Sequence, residues 1–288
     1  MTGRTARRRV LRISVPGGAE PPKAAERADL LAAEEPLGIR VGGEALTLTM
    51  RTPGDDLDLA AGFLVSEGVI TEPGDIAGMM ICDGQRCGHA GHEGAGNIAD
   101  VTLRPGLAVD PRLRRSFLTT SACGVCGKAS IEELAVASRY DLAADPATVT
   151  PEVLAGLPEA LRAAQRVFES TGGLHAAGLF TAAGDLLAVR EDVGRHNAVD
   201  KIVGWALRSG RLPLAGCVLL VSGRASFELV QKAVLAGIPV LAAVSAPSSL
   251  AADLADQSGL TLVGFLRGNT MNVYTAQARV LTPQPATP

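Results

Sequence analysis

Hydrophobic and polar positions alternate with two different periodicities along the chain. Within residues 36–105 apolar side chains recur at every second position, as at Leu46, Leu48 and Met50. This alternation predicts β-hairpins that turn one face towards a core. Residues 55–67 interrupt it, because they place apolar side chains at helical spacing behind acidic residues and so predict one helix. The first half of the chain is therefore expected to be mostly β.

From about residue 150 short apolar runs alternate with helical segments. This order predicts a parallel or mixed sheet whose strands are joined by crossover helices. The predicted strands are 176–180, 186–190, 217–221, 239–244 and 260–265, and the predicted helices are 158–170, 198–208, 226–236 and 248–257. The expected fold class is therefore α/β in the C-terminal region, with a smaller, mostly β region before it.

Composition and charge divide the chain into five segments. They are a basic arm (1–35), a mostly β region (36–120), a Cys-x-x-Cys loop with a helix (121–149), an α/β domain (150–280) and a tail (281–288). Its first 12 residues hold five arginines, Arg4, Arg7, Arg8, Arg9 and Arg12, and the rest is rich in Pro, Gly, Ala and charged residues. Such a composition predicts a solvated, disordered segment.

Length and charge exclude several classes of protein. The 288 residues are enough for a sizeable core, and 27 basic against 30 acidic residues give a net charge of −3. A nucleic-acid partner is not expected, because no overall positive field would attract one. No apolar run approaches the roughly 18 residues that a membrane span needs, and no apolar stretch follows the N-terminal arginines as in a secretory signal. We expect a cytoplasmic protein without membrane segments.

The strongest chemical signal is a pair of cysteines in the segment Ser-Ala-Cys-Gly-Val-Cys-Gly-Lys, at Cys123 and Cys126. A capping-box sequence that begins at Ser130 predicts a helix just after them. The helix N-terminus and Lys128 both favour the thiolate form, which is the nucleophilic one. The two cysteines are therefore the candidate catalytic residues, whereas Cys217 opens an apolar run and is expected in the core.

Three interpretations of this pair remain open on spacing alone. A structural zinc site would need two further ligands, for which Cys82, Cys87, His89 and His92 are the candidates. A redox pair is possible in principle, but the βαβ setting usual for that motif is not evident. Sulfur transfer is the third interpretation, since a reactive thiolate in a glycine-rich loop can visit two partners.

A zinc deaminase also combines a Cys-x-x-Cys with a His-x-Glu, whose Glu transfers protons. In this chain the order is reversed, because His175 lies downstream of the cysteines, and Ala177 stands where the Glu should be. Deaminase chemistry is therefore not expected.

Four polar segments follow directly after predicted strands, at 191–197, 222–226, 245–249 and 267–269. The carboxyl ends of parallel strands lie at one edge of a sheet, where ligands bind in open α/β folds. The first three segments also open helices, whose N–H groups and dipoles favour phosphate oxygens. Arg195, Arg224 and Arg267 add forked cationic donors. Any one such loop could be an ordinary turn with a solvated arginine, but four in succession predict a nucleotide site, with His196 as a binding residue.

These ordered motifs resemble the FdhD/NarQ family over roughly residues 35–280. The segments that carry the resemblance are 120–128, 172–176, 190–201, 222–232 and 264–268. The resemblance implies a C-terminal region like that of cytidine deaminases but without deaminase activity, and a cytoplasmic, homodimeric sulfur carrier. It further implies that sulfur comes from a cysteine desulfurase. The sulfur would pass to the molybdenum bis(molybdopterin guanine dinucleotide) cofactor, held as cargo, before that cofactor enters formate dehydrogenase.

The resemblance also assigns residues by position. Cys123 matches the cysteine that carries a persulfide, and Cys126 matches its companion. The stretch that matches the family's cofactor-binding place consists of Phe265, Leu266, Arg267, Gly268, Asn269 and Thr270. Together with the loop residues Gly194, Arg195, His196, Gly223, Arg224 and Ser226, these complete the predicted cofactor-binding set, and no metal ligand is assigned. The alternative function is a zinc-stabilised, nucleotide-binding chaperone or adaptor that transfers no sulfur.

Overall fold

A computed structural model describes residues 3–17, 20–82, 97–110 and 138–282, whose strands form three sheets. The strands in chain order are β1 (Thr5–Ser14), β2 (Lys23–Ala32), β3 (Glu35–Val41), β4 (Glu44–Arg51), β5 (Ile76–Cys82), β6 (Ile98–Leu103), β7 (His175–Thr181), β8 (Leu186–Asp192), β9 (Cys217–Val221), β10 (Val240–Ala243), β11 (Thr261–Arg267) and β12 (Thr270–Val273). The α-helices are α1 (Asp56–Ser66), α2 (Pro151–Ala164), α3 (Arg166–Thr171), α4 (Arg195–Arg208), α5 (Phe227–Leu235) and α6 (Ser249–Gln257).

The largest sheet has six strands in the order β12-β11-β10-β9-β7-β8. Strands β9, β10 and β11 are parallel, whereas β7 runs antiparallel to both β8 and β9, and β12 runs antiparallel to β11. Strand β8 therefore points the same way as β9, β10 and β11, so that four carboxyl ends lie at one edge. Helices α4, α5 and α6 connect these four strands in turn. The predicted α/β class, with a mixed sheet and crossover helices, is confirmed.

Most elements predicted for the α/β half of the chain occur within a few residues of their expected bounds. The prediction of a single helix at 158–170 was wrong. Its place is taken by α2 and α3, which are separated at Gln165. Thr150 caps α2 by accepting a hydrogen bond from the Val153 N–H at 3.3 Å. Helix α3 starts anew because the Glu191 carboxylate accepts hydrogen bonds from the Val167 and Phe168 N–H groups at 3.0 and 2.7 Å. This cap comes from a distant strand, which a local pattern cannot reveal.

The N-terminal segment that we expected to be disordered instead forms a hairpin of β1 and β2. Arg8 and Asp29 face each other across the two strands, and a cross-strand pair of opposite charge stabilises a hairpin. The base of the hairpin is fixed by a hydrogen bond from the Ala33 N–H to the Arg4 carbonyl at 2.9 Å. Arg4 also forms an ion pair with Asp55 at 2.6 Å. The arginines that indicated a solvated arm are therefore compatible with strands.

The third sheet has the order β4-β3-β6-β5, and its β3–β4 hairpin and helix α1 confirm the predictions for this region. Helix α1 packs across α4 at two glycines. A Cβ atom on Gly62 would lie 1.8 Å from the Asp200 carbonyl oxygen, and one on Gly204 would lie 1.8 Å from that of Asp58. The two backbones touch here, which only glycine permits. One hydrophobic cluster consequently runs from Leu37 in β3 to Leu262 in β11, so the two predicted regions share a core.

Candidate functional site at the carboxyl edge of the sheet

The loops that follow β8, β9, β10 and β11 meet at one place, here called the carboxyl edge. Backbone hydrogen bonds join neighbouring loops: the Ser245 N–H donates to the Gly223 carbonyl at 3.2 Å, and the Phe265 N–H donates to the Ser245 carbonyl at 3.1 Å. The start of β7 belongs to the same edge, because the Ser222 N–H donates to the Ala176 carbonyl at 3.0 Å. The structure thus brings together the loops that the sequence placed in separate segments.

A buried ion pair shapes the turn between β8 and α4. The Asp192 carboxylate is fully buried and lies 2.7 Å from the Lys201 ammonium group. It also accepts hydrogen bonds from the N–H groups of Thr52 and Gly194 at 3.1 and 2.8 Å, and from the Asn197 side chain at 3.0 Å. A carboxylate with this many partners fixes the backbone around it. The turn that carries Arg195 and His196 is therefore held in one conformation.

Arg195 and His175 both lie close to Gly223, within 4 Å of where a Cβ on that residue would be. The Arg195 Nε atom is buried and has no hydrogen-bond partner among the described residues. The His175 ring is half-buried, and two of its atoms lie 3.5 Å from where a Cβ on Gly223 would be. Burial, together with the nearby charges of Arg195 and His196, lowers the pKa of His175 below its ordinary 6.5. His175 is therefore a neutral imidazole beside a cation at neutral pH.

His196 contacts two residues at the start of α5. Its Nε2 atom lies 2.8 Å from the Glu228 carboxylate and 3.2 Å from the Ser226 hydroxyl. The hydrogen bond from His196 lowers the pKa of Glu228, and the charges of His196, Lys232 and Arg195 act in the same direction against the effect of burial. A carboxylate only accepts hydrogen bonds, so Nε2 must carry the proton, and the Ser226 hydroxyl can only share it as a second acceptor. Glu228 is thus an ionised carboxylate held at this edge.

Two helices begin at the carboxyl edge without a side-chain cap. Helix α4 follows Gly194 and helix α5 follows Ser226, and neither residue caps its helix with a side-chain hydrogen bond. By contrast, Ser248 caps α6, accepting a hydrogen bond from the Ala251 N–H at 3.2 Å. The first N–H groups of an uncapped helix remain free to bind an anion, and the helix dipole favours a negative charge there. The uncapped start of α4 is therefore suited to phosphate oxygens, whereas the start of α5 also carries the Glu228 carboxylate.

The segment from Phe265 to Thr270 forms the end of β11, a tight turn and the start of β12. Phe265 has a left-handed backbone conformation with φ 51, which is costly for a residue with a large side chain, and its ring is 38% exposed. Leu266 points the other way and is fully buried in the second hydrophobic cluster. Of the two neighbours, Phe265 presents its side chain at the edge, and Leu266 packs in the core.

Arg267 is exposed but anchored. Its Nε–H donates to the Val244 carbonyl at 2.9 Å, and its guanidinium lies 5.6 Å from the centre of the Phe265 ring. Its two terminal nitrogens donate to no group in the part of the chain that the structure describes, so they are suited to bind a ligand. Arg224 and Asn269 are exposed at the same edge. These contacts hold an aromatic ring and a cation together, which suits a ligand that carries both a flat base and phosphates.

The two candidate catalytic residues, Cys123 and Cys126, lie outside the described residues, as do Cys87, His89 and His92. Cys82 is buried at the end of β5. Within the described ranges, no three His, Cys, Asp or Glu side chains form a group that could hold a metal ion. Cys217 is a core residue as predicted, and burial raises its pKa.

Sequence reasoning missed His175 and Glu228 as members of this site. The i,i+4 spacing of Glu228 and Lys232 predicts that they form a surface ion pair, but in the structure each side chain pairs with a different residue. Glu228 pairs with His196, while the Lys232 ammonium lies 2.7 Å from the buried Asp200 carboxylate. Residues 172–176, one of the segments that carry the family resemblance, contain His175 and were the available signal for it. Strand β7 joins this edge only because it runs antiparallel to its neighbours.

The fold and the site define a mixed α/β protein with arginines and uncapped helix starts at one edge of its sheet. The chain belongs to the FdhD/NarQ family, whose model matches residues 32–281. It is 58% identical over 278 residues to the sulfur carrier protein FdhD of Mycolicibacterium paratuberculosis, which covers 96% of this chain and 98% of that relative. The protein of the same name from Streptomyces coelicolor is 59% identical over 280 residues, covering 96% and 95% of the two chains.

A solved structure is similar over nearly its whole length. It is a crystal structure of a protein from Desulfotalea psychrophila, described as a formate dehydrogenase accessory protein. The TM-score is 0.72 and the sequence identity is 26%, with 96% of this chain and 99% of that chain covered. In the described part of this chain, every helix is too short or too polar to cross a bilayer.

Proposed function

We propose that this protein is a cytoplasmic sulfur carrier that formate dehydrogenase needs for its activity. In this proposal Cys123 accepts sulfur from a cysteine desulfurase as a persulfide. The sulfur then passes to the molybdenum bis(molybdopterin guanine dinucleotide) cofactor, which is bound as cargo before its insertion. The names of the relatives and of the structural neighbour support this function. The observation that carries it is the convergence of two uncapped helix starts with Arg195 and Arg267 at one edge.

The carboxyl edge offers what a guanine dinucleotide needs. Pyrophosphate oxygens would accept hydrogen bonds from the first N–H groups of α4 and from the guanidinium groups of Arg195 and Arg267. Gly223 has no side chain to occupy the space beside the His175 ring, which lies 3.5 Å from where its Cβ would be. The exposed Phe265 ring would stack against a base. Each feature is modest by itself, and together they favour a ligand with several phosphates and an aromatic base.

The sulfur step uses the two cysteines in turn. The Cys123 thiolate attacks the outer sulfur of the desulfurase persulfide, and the desulfurase cysteine leaves as a thiolate. Cys123 then holds that sulfur as a persulfide. Attack by the Cys126 thiolate on the inner sulfur forms a Cys123–Cys126 disulfide and releases hydrosulfide for the cargo. A second thiol three residues away is well placed for this exchange.

Chain length allows the cysteines to reach the cargo. The Ser138 hydroxyl donates to the Val234 carbonyl at 3.0 Å, near the end of α5 and so on the side of the sheet away from the carboxyl edge. Cys126 precedes Ser138 by 12 residues, which can span at most about 40 Å. A five-residue strand such as β9 spans roughly 17 Å. The connection is therefore long enough for either side of the sheet.

A homodimer is the second part of the proposal. The β1–β2 hairpin exposes 60% of Leu11, 60% of Ile13 and 77% of Val15. Isolated two-stranded hairpins are only marginally stable in water, and exposed apolar side chains favour contact with another protein surface. A second copy of the chain would cover them. Light scattering should give twice the chain mass for the wild type and a monomer for the L11S/I13S double variant, whereas a monomeric wild type would contradict the dimer.

Formate dehydrogenase activity in cells that lack their own carrier tests the function. Cys123→Ala should abolish the activation, whereas Cys217→Ala, which changes a core cysteine, should retain it once thermal unfolding shows that the variant is folded. The alternative chaperone or adaptor predicts stoichiometric zinc in the purified protein and an activation that survives Cys123→Ala. Metal analysis and the Cys123→Ala result together distinguish the two functions.

A further inference from the structure

Glu228 stands out at the carboxyl edge because it is an acidic group at a place suited to anions. It is the second residue of α5, next to the charge of Arg195, and 27% of its side chain is exposed. A carboxylate beside bound phosphates would repel them. Glu228 is therefore suited to a part of a ligand that offers hydrogen-bond donors rather than negative charge.

The Glu228 carboxylate has acceptor capacity to spare. A carboxylate offers about four lone-pair sites, and one of its oxygens receives the His196 Nε2–H at 2.8 Å. Its other oxygen has no hydrogen bond within the described part of the chain. The Ser226 hydroxyl, 3.2 Å from the same nitrogen, helps to hold the imidazole in place. His196 and Ser226 thus position the carboxylate without using up its acceptors.

Two adjacent acceptors distinguish between the purine bases. Guanine presents the N1–H and the N2 amino group side by side, and both can donate to one carboxylate. Adenine presents its amino group next to N1, which is itself an acceptor and would face the carboxylate unfavourably. Two parallel charge-assisted hydrogen bonds are stronger and more selective than one.

We infer that Glu228 is the residue that selects guanine, with His196 as its positioning residue. The inference rests on the proposed function, since it places a guanine nucleotide at the carboxyl edge, and it adds the group that recognises the base. The ribose and phosphates would then extend away from Glu228 towards Arg195 and the start of α4. A structural explanation would instead give Glu228 only a favourable contact with the helix dipole.

Calorimetric titration of the full-length protein with GDP, IDP and ADP tests this inference. IDP lacks only the 2-amino group, so the wild type should bind GDP roughly tenfold or more tightly than IDP, and more tightly than ADP. In Glu228→Gln the ratio of GDP to IDP affinity should fall towards one. The matched control is Glu152→Gln, which changes the second residue of α2 and should leave all three affinities unchanged.

The outcomes separate the inference from the proposed function. If the wild type binds GDP but Glu228→Gln keeps the GDP preference, the inference is overturned and the proposed function stands. If the wild type binds none of the nucleotides, both fail. Should Glu228→Gln be unfolded in a thermal scan, His196→Asn decides, because it retains the carboxylate but removes its anchor. That variant should lose part of the preference for GDP over IDP, and an unchanged preference would count against the inference.

Discussion

The Asp192 carboxylate and the Lys201 ammonium group form an ion pair that is closed off from solvent, with 2.7 Å between Oδ2 and Nζ. The same ammonium donates to the Thr52 carbonyl at 2.9 Å, and the same carboxylate accepts from the Thr52 N–H at 3.1 Å. Thr52 follows β4, so this pair ties the N-terminal sheet to the turn that carries Arg195 and His196. Geometry at the carboxyl edge thus depends on a contact between the two halves of the chain.

Removal of one partner of this pair should be costly. Lys201→Met leaves the Asp192 carboxylate buried without its counter-charge, and such a change typically costs about 3–5 kcal/mol. Urea denaturation should show that loss in the free energy of unfolding. Lys23→Met, at an exposed lysine of β2, should change it by no more than about 0.5 kcal/mol. Equal, small effects in both variants would mean that the buried pair contributes little.

The crossing of α1 and α4 should not tolerate a methyl group. Gly62→Ala would place a Cβ 1.8 Å from the Asp200 carbonyl oxygen, so the helices must separate. Overpacking of this kind costs about 1–3 kcal/mol or more. A Cβ on Gly156 in α2 would have nothing within 4 Å, and Gly156→Ala should instead stabilise the protein by up to about 1 kcal/mol. Opposite signs in thermal unfolding are the test, and a stabilising Gly62→Ala would refute this packing.

Stability should depend on pH through His175. The pKa of His175 is lowered in the folded chain, so that below pH 6.5 the unfolded chain binds a proton at this residue that the folded chain does not. This contribution to stability is therefore complete above pH 6.5, and it is lost as the pH falls towards the lower pKa that His175 has in the folded state. The free energy of unfolding, measured against pH, should fall less steeply below pH 6.5 in His175→Gln than in the wild type. A variant profile that matches the wild type would show that another group titrates there.

Arg267 and Arg211 provide a matched test of the nucleotide site. Both are exposed arginines that lie against an aromatic ring, Arg267 at 5.6 Å from Phe265 and Arg211 at 5.3 Å from Trp205. Only Arg267 is at the carboxyl edge. Loss of a charge-assisted hydrogen bond to phosphate should weaken GDP binding about tenfold in Arg267→Ala and leave it unchanged in Arg211→Ala. Equal affinities in the two variants would place the site elsewhere.

Much of the α/β half could be predicted because its signals are local. The apolar run 217–221 coincides with β9, and the polar segments after the strands do meet at one edge. Parallel strands force this convergence once their order is known. The wrong helix at 158–170 has the opposite cause, since the start of α3 depends on Glu191, which is distant in sequence.

The parts that could not be predicted depend on contacts between distant residues. Glu228 reads as half of a helix surface pair until His196 is placed beside it. The hairpin of β1 and β2 was hidden by its arginines, which composition assigns to solvent, although the pairing of the two strands accommodates them. Leu266 differs from these residues. The family resemblance assigned it to the cofactor-binding set, but its side chain is buried in the core.

Sulfur loading of Cys123 is the central claim, and mass spectrometry of peptides tests it most directly. The full-length protein is incubated with a cysteine desulfurase and free cysteine, and peptides are mapped after digestion without reductant. We expect the wild type to gain the mass of one sulfur atom on the peptide that contains Cys123, and Cys217→Ala to gain it equally. Cys123→Ala should gain none. A wild type without the added mass, or a Cys123→Ala variant that retains it, would contradict the account.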